Sequence, residues 1–129
     1  MGSDDADIDA IAAALRSDAG DLRVYMNVLA AKLEAALPGM VEVDRRRDGL
    51  FGPRTVVQRL TVTCEDTRFV LEPGNGGTLR ATRSKVVRGI VLDRDELRLD
   101  EWVTALSASL AQLARTTERG REALGRLLA

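Results

Sequence analysis

The residue types that carry most protein chemistry are nearly missing from this chain. It contains no histidine, which removes the usual general base and the commonest metal ligand. Its single cysteine, Cys64, can form neither a zinc cluster nor an intrachain disulfide. That cysteine also stands on the apolar parity of RTVVQRLTVTC, residues 54–64, where a thiol is buried and inert. Carboxylates gather in DRDELRLDE at 93–101, but they lead into a helical pattern, where acidic residues answer the helix dipole rather than form a catalytic pair. The glycine-rich GNGGT at 74–78 lacks the Lys-Ser/Thr and the following helix of a phosphate loop, and reads as a hairpin loop. The expectation is a protein that is not an enzyme, with no catalytic residues, no metal and no other cofactor.

What remains is charge. DRRRDGLFGPR at 44–54 places Arg45, Arg46, Arg47 and Arg54 around a turn that displays Leu50 and Phe51. Arg59, Arg80, Arg83, Lys85 and Arg88 follow on the next strands. The formal net charge is only −1, yet residues 1–39 sum to −4, residues 40–92 to +4 and residues 93–129 to −1. Such an asymmetry sets up a local field in spite of the near-zero total. Three readings compete for these cations. One is a solvated face with local pairing to Glu42, Asp44 and Asp48. A second is contact with phosphate or nucleic acid, against which the 3% aromatic content counts, since few rings are left to stack on bases. The third is an anionic membrane surface, with Leu50 and Phe51 inserting between headgroups.

The elements that position these residues follow from periodicity. Ile8, Ile11, Ala12 and Leu15 recur at helical spacing; SDAGD at 17–21 offers a break with Asp21 as an N-cap. Leu22, Met26, Leu29, Ala30, Leu33 and Leu37 form a second stripe, ended by Pro38-Gly39. One broken helix and two short ones both fit. From Met40 the period becomes two. MVEV enters the first hairpin; Val56, Gln58, Leu60, Val62 and Cys64 point to one side of the next strand; EDT at 65–67 turns into RFVLE, with Phe69 and Leu71 inward. TLRATR and VVRGIVL supply either two strands or one long bulged strand, because the apolar parity slips near Ser84-Lys85. Short connections imply an antiparallel meander of four or five strands.

The last segment carries Leu99, Val103, Leu106, Leu110, Leu113, Thr117, Gly120, Leu124 and Leu127 at alternating spacings of four and three, with Trp102 beside Val103 as a plug for the core. One helix over that seam is about 45 Å long, against roughly 20–25 Å for the width of a five-stranded sheet. Its overhang must meet the N-terminal helices, a second copy of the chain, or itself through a kink at Gly120 or Gly125.

The phrase VVRGIVLDRDELRLDEWVTAL, with LAAKLEAALPG, RRRDGLFGPR and the final EALGRLL, resembles a family of small uncharacterised actinobacterial proteins over nearly the whole chain. That resemblance carries no catalytic residue with it. Arg98 stands where a helix-capping Ser, Thr or Pro is expected. In element order the chain also resembles type III secretion chaperone-like proteins, small acidic dimers that hold partner chains. EPGNGG stands where that fold has a middle helix, so the likeness is one of fold alone.

The expected architecture is one α+β domain: residues 1–39 helical, 40–92 an antiparallel sheet, and 93–129 a long C-terminal helix packed on one face. The expected function is a cytoplasmic adaptor or chaperone-like module that binds another protein, with Leu106, Leu110, Leu113, Thr117, Gly120, Leu124 and Leu127 as the seam either of a homodimer or of helix packing within the chain. The alternative is a surface-binding protein that engages anionic membrane or nucleic acid through Arg45, Arg46, Arg47, Leu50, Phe51, Arg54, Arg59, Arg80, Arg83, Lys85 and Arg88. The absence of any stretch of about 18 apolar residues and an acidic rather than basic N-terminus argue for the cytoplasm.

Overall fold

The computed structural model describes residues 2–15, 22–47 and 55–129. In chain order they form α1 (Gly2–Leu15), α2 (Leu22–Ala36), β1 (Val41–Arg47), β2 (Thr55–Cys64), β3 (Thr67–Pro73), β4 (Leu79–Val87), β5 (Ile90–Leu97), α3 (Leu99–Thr116) and α4 (Glu118–Leu128). The five strands make one antiparallel meander in the order β1-β2-β3-β4-β5. This is the expected α+β class, with five strands rather than four. The N-terminal stripe is two helices; the SDAGD break and Asp21 lie outside the described residues.

Both helical stripes face the core as their spacing requires. Ile11, Ala12 and Leu15 of α1, and Met26, Leu29, Ala30 and Leu33 of α2, are buried. The last carbonyls of α1 would be orphaned, and α2 answers them: the Tyr25 hydroxyl donates to Leu15 O at 2.8 Å and Lys32 Nζ to Ala14 O at 2.6 Å. The end of α2 is met in turn by α4, where Arg126 donates to Ala36 O at 3.2 Å and Arg119 to Pro38 O at 3.1 Å. Gly39 then reverses the chain at a φ of 84°.

The strand parity departs from expectation in β2. Asp44 pairs with Arg59 and Arg45 with Val57, so Gln58 is an extra residue in a β-bulge. Val57 is therefore buried and Gln58 exposed, where alternation alone places Val56 and Gln58 inward. The bulge is anchored from the helix layer, since Asn27 Oδ1 of α2 accepts from Val57 N at 3.2 Å. A second register shift falls between Lys85 and Val86, beside the parity slip seen in the sequence. The sheet does not stop at residue 92: Asp93, Arg94, Asp95, Glu96 and Leu97 continue β5, and only Asp100 and Glu101 occupy the first helical turn. Arg88 at φ 54° and Gly89 at φ 80° form the two-residue turn between β4 and β5.

The single long C-terminal helix is also corrected. It breaks at Thr117, whose backbone is extended (φ −137°, ψ 148°), and α4 folds back within the same chain. The break is built from one hydroxyl. Thr117 Oγ1 donates to Leu113 O at 2.9 Å and accepts from Gly120 N at 2.9 Å, closing α3 and capping α4 together. Of the expected dimer or helix-packing seam, Leu106, Leu110, Gly120 and Leu127 are buried inside this molecule, and Leu113, Thr117 and Leu124 are half-buried. This is the fold-back expected from a kink, with the break at Thr117 rather than at Gly120 or Gly125. The start of α3 needs no Ser or Thr: Glu101 Oε1 accepts from Arg98 N at 3.0 Å, and the Arg98 guanidinium donates to Asp100 at 3.2 Å. Arg98 holds the Asp100 carboxyl below its ordinary range.

α2 and α3 pack against one face of the sheet, and α1 and α4 pack on them. Val57, Leu60, Val62 and Cys64 of β2, Phe69 and Leu71 of β3, and Ala81 of β4 join the helices in the core. Trp102 is fully buried among them, edge-on to Phe69 with ring centroids 6.1 Å apart, and its Nε1 donates to Thr82 O at 3.2 Å.

Candidate binding face

Alternation along each strand sends every second side chain to the uncovered side of the sheet, and register sorts them into rows. One row reads Asp44, Arg59, Glu72, Arg80 across β1 to β4. The next reads Glu42, Thr61, Val70, Thr82, Glu96 across all five strands. A third reads Thr63, Arg68, Ser84, Arg94 across β2 to β5. Together with Gly39, Met40 and Val91 these residues line a shallow concavity of about 720 Å³. The strand twist that curves the sheet shapes it.

Charge is not evenly matched over the face. In the first row Arg59 pairs with Glu72 at 3.3 Å, and Arg80 reaches Glu96 of the second row at 3.5 Å. Those pairs are exposed and contribute little to stability. Among the described residues, Arg68 and Arg94 have no hydrogen-bond or ion-pair partner for their guanidinium groups, and neither have the carboxylates of Glu42 and Asp44. The free cations flank Ser84, which is only 4% exposed, and Arg68 itself is half-buried. The free anions stand on β1, at the opposite side of the same concavity.

Among the described residues, only Arg59 and Arg80 of the cations singled out by sequence share the concavity; the others are spread over the molecule. Arg45 turns to the helix side and grips Glu34 of α2 through two bonds of 2.7 and 3.1 Å. This bond holds the Glu34 carboxyl below its ordinary range and raises Arg45. Arg83 is on the helix side too, 3.4 Å from Asp95, while Lys85 stands opposite Asp93 in the register. Arg59 and Arg80 lie on the uncovered face in the pairs above. Arg46 and Arg47 are exposed near the end of β1, beside a smaller recess of about 260 Å³ that Arg23, Met26 and Pro73 help to line. Arg88 occupies the β4–β5 turn. Leu50, Phe51 and Arg54 lie outside the described residues.

The sequence reading missed Arg68, Arg94 and the apolar rim of β5. Ile90, Val91 and Leu92 are 63, 45 and 61% exposed on a strand whose outer edge pairs with no other strand of the sheet. Such an edge presents free backbone N–H and C=O groups beside apolar side chains.

Cys64 behaves as its position on the strand requires. Burial, with Glu65 beside it, pushes its thiol up to about 11. Labelling by an aromatic disulfide reagent at neutral pH is expected to be slow in the native protein and to accelerate sharply on adding urea. Stoichiometric labelling within seconds without denaturant would show an accessible thiolate instead.

The molecule is thus an α+β protein with a one-sided antiparallel sheet, its helices on one face and a charged concavity on the other. Comparison of the chain with protein-family models, with curated proteins and with solved structures gave no match in any of the three. No helix among the described residues is long and apolar enough to cross a membrane.

Proposed function

We propose that this chain is a non-enzymatic adaptor, a chaperone-like module that holds another protein against the uncovered face of its sheet, in the cytoplasm. The observation that carries the reading is the concavity of about 720 Å³ with unpaired charges of both signs at opposite sides. A solvated sheet face needs no such arrangement, because cross-strand pairs can neutralise it row by row. Sites for small organic ligands are enclosed and mostly apolar; this face is open, polar and five strands wide, the dimension of a polypeptide contact. The exposed Ile90, Val91 and Leu92 at its β5 edge extend the contact with apolar area.

The competing reading, a basic surface for membrane or nucleic acid, loses support from the pairing of Arg45, Arg59, Arg80 and Arg83 with carboxylates. A photo-crosslinking amino acid placed at Thr61 or Thr82 on the uncovered face is expected to trap one defined protein in the organism that encodes the chain. The same residue at Gln112 or Arg121, exposed on the helices, is expected to trap none. That protein, purified, should then bind the unmodified chain. Equal trapping from both sets, or none from either, would sink the adaptor reading.

A further inference from the structure

We infer that the segment received by this face is of mixed charge: its carboxylate lies across Arg68, Ser84 and Arg94, and its cation meets Glu42 and Asp44. The inference rests on the adaptor reading for its location and goes beyond it in naming the partner's chemistry. Arg68 and Arg94 sit on β3 and β5, each directly opposite Ser84 of β4. Their Cα atoms are therefore about two strand spacings apart, roughly 9.5 Å, and two long side chains span that gap over one oxyanion. The Ser84 hydroxyl between them adds a donor, and guanidinium groups form strong paired bonds with carboxylates. Half-burial of Arg68 without a partner carries a desolvation cost that a bound anion offsets.

The rest of the concavity limits what that anion belongs to. Glu42 and Asp44 stand on β1, and Glu96 lies two residues from Arg94 on β5. A phosphodiester backbone or a charged lipid surface would meet these carboxylates as a repeating array of like charge, and such juxtaposition opposes binding. A segment with one acid and one base meets both ends favourably. From Ser84 on β4 to β1 is three strand spacings across the sheet, and Glu42 and Asp44 lie one and two rows further along it, about 16 and 19 Å away. An extended chain covers such a distance in about five residues.

The test uses the full chain labelled with ¹⁵N and reads the arginine side-chain Nε–H signals. The probes are a short capped peptide with a glutamate and an arginine about five residues apart, its Gln/Gln counterpart, its Glu/Glu counterpart, and a single-stranded oligonucleotide. The Glu/Arg peptide is expected to shift the Arg68 and Arg94 signals saturably and to bind at least about tenfold more tightly than either counterpart. Arg68→Gln with Arg94→Gln should remove that preference while the circular dichroism spectrum stays native. Glu42→Gln with Asp44→Asn should bring the Glu/Arg peptide level with the Glu/Glu one. Absence of any shift, equal binding of all peptides, tighter binding of the oligonucleotide, or a preference that survives the double arginine variant would overturn the inference. The adaptor reading fails separately, by the crosslinking result: a partner trapped at Thr61 or Thr82 with no response to the Glu/Arg peptide leaves an adaptor whose partner is recognised by other chemistry.

Discussion

Replacing Gly120 with alanine lowers the stability of the fold by about 3 kcal/mol, and the same replacement at Gly125 raises it by up to about 1 kcal/mol. Both glycines lie in α4, five positions apart in the sequence, and both lose the same entropic penalty when a methyl group is added. The surroundings decide the sign. A Cβ at Gly120 would stand 2.5 Å from the carbonyl carbon of Leu113 and 2.8 Å from the nitrogen of Ala114, both backbone atoms of α3. Neither can swing aside as a side chain does, so α4 must lift off α3. That movement would also lengthen the Gly120 N to Thr117 Oγ1 bond, on which the cap depends. A Cβ at Gly125 meets nothing within 4 Å, which leaves only the gain in helix propensity. Urea titrations of the two variants followed by circular dichroism check the pair. Opposite shifts in midpoint are expected; a Gly120→Ala variant as stable as the parent would mean that α4 does not pack against α3 as described.

That close approach also marks where the sequence stops being informative. The apolar spacing from Leu99 to Leu127 is the same for one long helix and for two helices that fold together, because each half keeps its own stripe toward the core. The difference lies in Thr117, an N-cap residue followed by the acidic Glu118, and in the small Gly120 three positions on. These are capping signals, weak beside nine apolar positions in step. In the sheet, the antiparallel class was legible from alternation and short connections, but four and five strands both fitted, because the parity slip near Ser84-Lys85 blurs β4 and β5; Phe69, Leu71 and Cys64 are buried as their parity requires. Val56 and Gln58 do not face inward because a bulge shifts parity without altering composition, and contacts from α2 hold it, Asn27 to Val57 N and Glu34 to Arg45 opposite. The binding face was the least legible part. Arg94 reads as the approach to a helix until β5 is seen to run on to Leu97. Arg68 acquires meaning only from the register that sets Ser84 and Arg94 beside it. A run of arginines in the sequence is conspicuous, but pairing decides which cations are left free, and pairing is a property of the sheet.

The core side chain that ties helix layer to binding face is Trp102, and its loss is expected to have the largest effect on stability. Trp102→Ala should cost about 3–5 kcal/mol, a large share of the roughly 5–15 kcal/mol that holds a domain together. Three contributions add up. The indole is fully buried, so its removal leaves a void that the sheet and α3 cannot both close. The edge-on contact with Phe69 disappears, a loss of about 0.5–1.5 kcal/mol beyond area. The bond from Nε1 to Thr82 O goes as well, and with it the one side-chain hydrogen bond described between α3 and β4. Trp102→Phe separates these effects, since it keeps most of the apolar volume and loses the N–H; its cost should be smaller, about 1–3 kcal/mol. Because Trp102 is the only tryptophan, the alanine and phenylalanine variants are followed by circular dichroism, and the parent by its fluorescence, which should be blue-shifted until unfolding. Thr82 also places its side chain on the uncovered face, between Val70 and Glu96 in the row beside Ser84. Loosening β4 from beneath should therefore weaken the response of Arg68 and Arg94 to the Glu/Arg peptide even under conditions where Trp102→Phe is fully folded. A Trp102→Ala variant within about 1 kcal/mol of the parent would refute the packing described for the first turn of α3. A folded Trp102→Phe variant with an unchanged peptide response would instead show that the binding face holds its shape without support from the helix layer.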